Sequence, residues 1–162
     1  LRSDTKEVAA HIMRVDLAGQ PLEQQKPSAE TALHVLLYRL YPQVNAVLHV
    51  HSVAGVTLTR QLPRADAIRL EGYEMLKAFP GFMTHQAAIE IPIFENSQDL
   101  PALARQVEAC LQAQPTVCAF LLRGHGAYAW GIDLDEAERI VEALEHLLQC
   151  ELETLRVRGV AT

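Results

Sequence analysis

No run of apolar residues in this 162-residue chain approaches the about 20 that a membrane-spanning helix needs. That excludes a transmembrane helix, and no signal-peptide pattern is visible either. Basic residues are also scarce. Fourteen Lys and Arg face twenty Asp and Glu, for a net charge of −6. Such a chain has no general attraction for nucleic acid or anionic lipid. An anionic substrate would need a local cluster of donors or a metal ion. Cysteine is sparse and odd in number: Cys110, Cys118 and Cys150, without C-x-x-C spacing. This excludes a disulfide framework. The three read as small apolar residues in a reducing compartment, so the expected location is the cytoplasm. Internal repeats and low-complexity tracts are absent as well.

What is present is ordinary globular material, 49% hydrophobic and 21% charged. The length suits one domain, residues 1–162, which can bury about 68–70% of its unfolded surface. Ser28 after Pro27 is placed to cap a helix from Ala29 to Tyr41. Leu33, Leu36, Leu37, Leu40 and Tyr41 form its apolar stripe. A second helix is expected from Asp99 to Gln112, and a third from Asp133, where Asp-Leu-Asp-Glu has capping-box spacing. Shorter helices are expected after Ser52 and over Tyr73–Phe79. Strands are expected at 12–17, Val44–His51, Ala88–Phe94, Val117–Leu122 and Ala127–Trp130. Helices and strands interleave, which predicts a layered α/β fold.

His49-Val50-His51 stands at the end of one expected strand. On a helix, side chains two residues apart diverge. On a strand they share a face, roughly 6.5–7 Å apart, and two imidazoles can converge on one ion. His125 follows a second apolar run, between two glycines in Arg123-Gly124-His125-Gly126. Three histidines from two strand ends form a metal site with an open position, the pattern of catalytic zinc. Imidazole also suits iron, nickel or copper. Among the other histidines, His34 reads as a packing residue, His11 and His146 as surface residues, and His85 as a pocket candidate.

A metal that polarises a carbonyl needs a carboxylate nearby to move a proton. Glu74, in the apolar setting Gly72-Tyr73-Glu74-Met75, is one candidate. Glu30, in the first turn after Ser28, is the other, although an acidic residue there also simply complements the helix dipole.

These motifs, in order, resemble the class II aldolase/adducin-head family. They are Pro27-Ser28-Ala29-Glu30 with His34, Ala46–Ser52 with its H-x-H, and Arg123-Gly124-His125-Gly126 with Trp130-Gly131. The resemblance covers about residues 26 to 152. It implies an α/β/α domain with a largely antiparallel central sheet, zinc on His49, His51 and His125, and a homotetramer with sites near subunit contacts. The segments Leu36–Pro42, Gly72–Lys77, Ile91–Asn96 and Arg123–Gly131 are most similar to family members that dehydrate 5-methylthioribulose 1-phosphate in methionine salvage. There the proton-transfer glutamate matches Glu74. In the sugar-phosphate aldolases of the family it matches Glu30, as a second catalytic or substrate-binding residue. A fuculose-1-phosphate-type aldolase and a ribulose-phosphate 4-epimerase are therefore rival enzymatic readings. Adducin heads, without the zinc histidines, offer a non-catalytic one. The Gly/Asn/Ser and Ser-Gly loops that hold phosphate in the family have no counterpart in Leu1–Gln25, where a preceding family segment is expected to be missing.

Overall fold

The computed structural model describes residues 12–160, so His11 lies outside the described residues. The elements run α1 (Thr31–Leu40), β1 (Ala46–Val50), α2 (Val53–Gln61), β2 (Ala67–Glu71), a 3-10 helix (Glu74–Ala78), β3 (Ala88–Phe94), α3 (Leu100–Ala113), β4 (Ala119–Leu122), β5 (Gly126–Gly131) and α4 (Leu134–Val160). The five strands form one sheet in the order β1-β5-β4-β3-β2. Every pairing is antiparallel except β3 with β4.

Strand alternation sends neighbouring residues to opposite faces. Tyr128 and Trp130 of β5 meet the rings of His34 and Tyr41, on and just after α1. The opposite face meets α2 and α4. Leu121 lies against Gly55 of α2, and Gly131 has Ala137 and Glu136 of α4 where a Cβ would go. The result is three layers, helix on sheet on helix, as expected. β5 is buried along its whole length, which fits its position inside the sheet. The core joins Leu33 and Leu37 of α1, Leu58 of α2, Ile91 of β3, Phe120 of β4, Val107 of α3, and Ile140 and Leu147 of α4. No described helix is long and apolar enough to cross a membrane.

The helix starts show local chemistry at work. Ser52 accepts from Gly55 N at 2.8 Å and caps α2. Asp99 accepts from Ala102 N at 3.0 Å and caps α3. At α4, Asp133 accepts from Glu136 N at 2.8 Å while Glu136 accepts from Ile132 N at 2.9 Å. Ser28 does not cap α1 as expected. Its hydroxyl donates to the Glu30 carboxylate, and the helix starts later, at Thr31. The segment at 12–17 is not a strand either. Asp16 Oδ1 accepts from Ala18 N and Gln20 N at 2.9 and 2.8 Å, and Gly19 turns with φ 77. This turn leaves a single bridge, Val15 to Pro21. β2 was not anticipated from the sequence. Tyr73–Phe79 contains a 3-10 helix, not an α-helix.

Candidate metal centre

β1, β3 and β4 all end at one edge of the sheet, and β5 begins there. Val50 pairs with Ala127, Leu122 with Gly126, and Phe94 with Leu122. His49 and His51 leave the end of β1 on one face, and the Ser52 cap turns the chain straight into α2. His125 sits in the tight β4–β5 turn. Its N–H donates to Leu122 O at 3.0 Å, and Gly124 takes φ 67. Gly126 permits the approach. A Cβ there would lie 2.4 Å from Val50 O and 3.1 Å from the His49 ring.

One ring nitrogen from each of His49, His51 and His125 lies within 4.8 Å of the others. His51 Nε2 and His49 Nε2 are 3.1 Å apart. Two nitrogens on a tetrahedral ion with bonds of ~2.0–2.1 Å would be about 3.3 Å apart, so the spacing fits. The outer nitrogens are already engaged. His49 Nδ1 donates to Ala127 O at 3.0 Å, and His125 Nδ1 donates to Asn96 Oδ1 at 3.3 Å. Such bonds fix the tautomer and leave Nε2 bare for a metal. Burial lowers the His49 pKa; the Ala127 bond opposes this, while His125 and His51 add to it. A neutral imidazole is the form a metal requires. The donor set and its orienting bonds fit a divalent metal ion.

Glu30 is brought to this group. Its Oε1 lies 3.9 Å from His125 Nε2. The Ser28 hydroxyl bond holds its carboxyl below the usual range, with smaller help from its own backbone and from His49 and His125, against burial. Glu30, Asn96, His125 and Tyr128 line a cavity of 340 Å³. Glu30, His34 and His49 line a second, of 560 Å³.

Glu74 is not brought there. It stands 69% exposed on the 3-10 helix, beside Lys77 and with His85 Nδ1 at 3.6 Å. It lines none of the described cavities that contain a triad histidine. The Lys77 hydrogen bond is the main reason its pKa is lowered. His85 thus accompanies Glu74. His34 packs edge-on to Tyr128, and its pKa is lowered by burial. His146 is exposed, 3.7 Å from Cys150 Sγ.

The sequence motif around His125 gives Arg123 no role of its own. Its Nη1 donates to Thr59 O and Leu62 O at 2.6 and 2.8 Å, its Nη2 donates to Ala65 O at 2.7 Å, and its Nε pairs with Glu95. A guanidinium on the C-terminal carbonyls of α2 satisfies both their lone pairs and the helix dipole. Thr59 Oγ1 also accepts from Gly124 N at 3.1 Å. The turn carrying His125 is therefore tied to α2. The glycines around His125 hinted at close packing in the sequence, but nothing there linked Arg123 to α2.

The family model of the class II aldolase and adducin N-terminal domain matches residues 3–152. The chain belongs to this family. It is 47% identical over 151 residues to a methylthioribulose-1-phosphate dehydratase of Marinobacter nauticus, covering 93% of this chain and 73% of that protein. It is 51% identical over 156 residues to one of Xanthomonas oryzae pv. oryzae, covering 94% and 68%. Among solved structures it resembles Escherichia coli YgbL, with a TM-score of 0.66 and 27% identity over 84% of this chain. It spans 61% of the YgbL chain. It also resembles L-fuculose-1-phosphate aldolase from Thermus thermophilus, with a TM-score of 0.62 and 26% identity, covering 86% of this chain and 69% of that one. The fold and the family expected from the sequence agree with these matches.

Proposed function

We propose that this family member is a metal-dependent lyase that dehydrates 5-methylthioribulose 1-phosphate to 2,3-diketo-5-methylthiopentyl 1-phosphate, a step of methionine salvage. The observation that carries it is the oriented triad of His49, His51 and His125 at one sheet edge. The names of relatives at 47% and 51% identity supply the substrate. Residues 1–162 act as one class II aldolase-like domain of a cytoplasmic enzyme.

His49, His51 and His125 would hold zinc, which supplies Lewis acidity toward the ketose oxygens and acidifies the neighbouring C–H. The reaction removes the C3 proton, breaks the C4–O bond and releases that oxygen with a proton as water. The resulting enol tautomerises to the diketone. Glu74 is the proton-transfer residue. It handles the proton taken from C3 or the one delivered to the departing hydroxyl. It is 69% exposed and lines none of the cavities that contain a histidine of its own triad, so in this reading it serves the site of a neighbouring protomer. A homotetramer with sites near subunit contacts supplies that arrangement.

A second reading is a class II aldolase acting on a sugar phosphate. The placement of Glu30, 3.9 Å from His125, favours it. Product analysis separates the two. Metal-loaded protein incubated with 5-methylthioribulose 1-phosphate is expected to yield the diketone, one water lighter by mass. Cleavage of fuculose 1-phosphate to dihydroxyacetone phosphate, with no dehydration, would instead establish the aldolase.

A further inference from the structure

Glu30, with Oε1 3.9 Å from His125 Nε2, borders two unlike cavities. In the 340 Å³ cavity, Asn96, Ser97 and Gln98 join His125. The 560 Å³ recess reaches His49 instead, and its exposed lining is mostly apolar. Met13, Val15 and Leu17 come from the turn segment, Val35 and Tyr38 from α1, and Val47 and Leu48 from β1.

This recess has a direction. α1 starts beside the triad at Glu30 and runs away from it, so Val35 and Tyr38 lie more than one and more than two turns further out. β1 runs toward the triad, and Val47 stands two residues behind His49, roughly 6.5–7 Å along the strand. The polar residues gather at the near end: Ser28 and Glu30 before α1, Thr31 and His34 in its first turn, and His49 itself. The exception is Asp16, whose Oδ1 accepts from the Ala18 and Gln20 N–H groups of its own turn. A cavity that is polar at the metal and aliphatic beyond it complements a ligand with oxygens at one end and an apolar tail at the other.

We propose that this recess is the specificity subsite for the methylthio group on C5 of the substrate, and that Met13, Val15 and Val47 select that group over a hydroxyl. The inference rests on reading the triad as a ketose-phosphate site. With the C2 and C3 oxygens facing the triad, C1 and its phosphate extend one way, and C4, C5, sulfur and methyl the other. The thioether tail suits the aliphatic end, where sulfur and methyl exchange water for apolar contact. A 5-hydroxyl or a phosphate in the same place would give up water for aliphatic carbon, which is unfavourable. A second apolar recess, between Val53 and Val141 beside His51, lacks Glu30 and the graded lining.

The test uses two ligands, 4-deoxy-5-methylthioribulose 1-phosphate and 4-deoxyribulose 1-phosphate. Without a C4 hydroxyl, neither can be dehydrated or cleaved by an aldolase, so calorimetry on zinc-loaded protein reads binding alone. Wild type is expected to bind the methylthio ligand about ten-fold more tightly than the hydroxyl one. Val15→Asn and Met13→Gln should each cut that preference to about two-fold, with affinity for the hydroxyl ligand and for zinc unchanged. Circular dichroism checks that each variant folds, and Met13→Gln decides if Val15→Asn does not. Equal binding of the two ligands by wild type overturns the proposal. So does a preference kept in full by the folded variants, which would place the tail elsewhere, as between Val53 and Val141. If neither ligand binds wild type that holds zinc, the ketose-phosphate reading falls and the subsite with it.

Discussion

Nε2 of His51 stands 3.1 Å from Nε2 of His49. His49 already spends its Nδ1 proton on Ala127 O, so its Nε2 presents a lone pair. A cation satisfies both nitrogens of the pair and that of His125 together.

Orientation by the second layer is testable at Asn96. Its Oδ1 is the acceptor that turns His125 Nδ1 away from the site. Asn96→Ala is expected to weaken metal affinity by about 10–100-fold, measured by chelator competition. An unchanged affinity would show that the turn backbone alone fixes His125.

Glu74→Gln should lower turnover by about 10²–10⁴-fold while metal content stays the same. The substitution keeps the side-chain size and removes only the proton-accepting charge. Near-normal dehydration by this variant would remove Glu74 from the mechanism. If Glu30→Gln were the lethal change instead, the aldolase reading would gain.

The pattern of what the sequence disclosed follows from range. The H-x-H pair was legible because strand periodicity is local, and His125 because glycines flank it at a strand end. The caps Asp99, Asp133 and Ser52 were legible for the same reason. β2 was missed because Ala67–Glu71 is a short edge strand whose outward face, Arg69 and Glu71, pairs with charge and not with core. The strand expected at 12–17 lost to the Asp16 side chain, which competes for backbone N–H groups. Long-range partners left no trace. Arg123 meets carbonyls 58 to 64 residues away in sequence. The separation of Glu74 from the triad was equally invisible, and the bond from Ser28 to Glu30, although local, displaced the expected cap.

Arg123 is 14% exposed in its side chain and holds three carbonyls. Arg123→Met leaves those acceptors unpaired and is expected to cost about 2–4 kcal/mol. That corresponds to a fall in melting temperature of roughly 5–15 °C. A shift under about 1 °C would show that water replaces the guanidinium without loss.

Alkaline pH should destabilise the fold. Burial, then the bond to Glu151, raises Tyr73 from 10.0 to about 12. Burial raises Cys118 from 9.0 to about 12. Both groups stay neutral longer when folded, so the unfolded chain loses its protons first as pH rises. Their stabilisation is full below about pH 9 and is lost as pH rises toward about 12. Urea unfolding across that range should show the decline, and Tyr73→Phe should make it shallower. A slope unaltered by Tyr73→Phe would contradict the contribution of Tyr73.

The most direct measurement is the metal content of the protein purified without chelators, compared with that of His125→Ala. One divalent ion per chain, lost in the variant while the fold persists by circular dichroism, is the expected result. An absence of bound metal in wild type, or full occupancy retained without His125, would contradict the account at its centre.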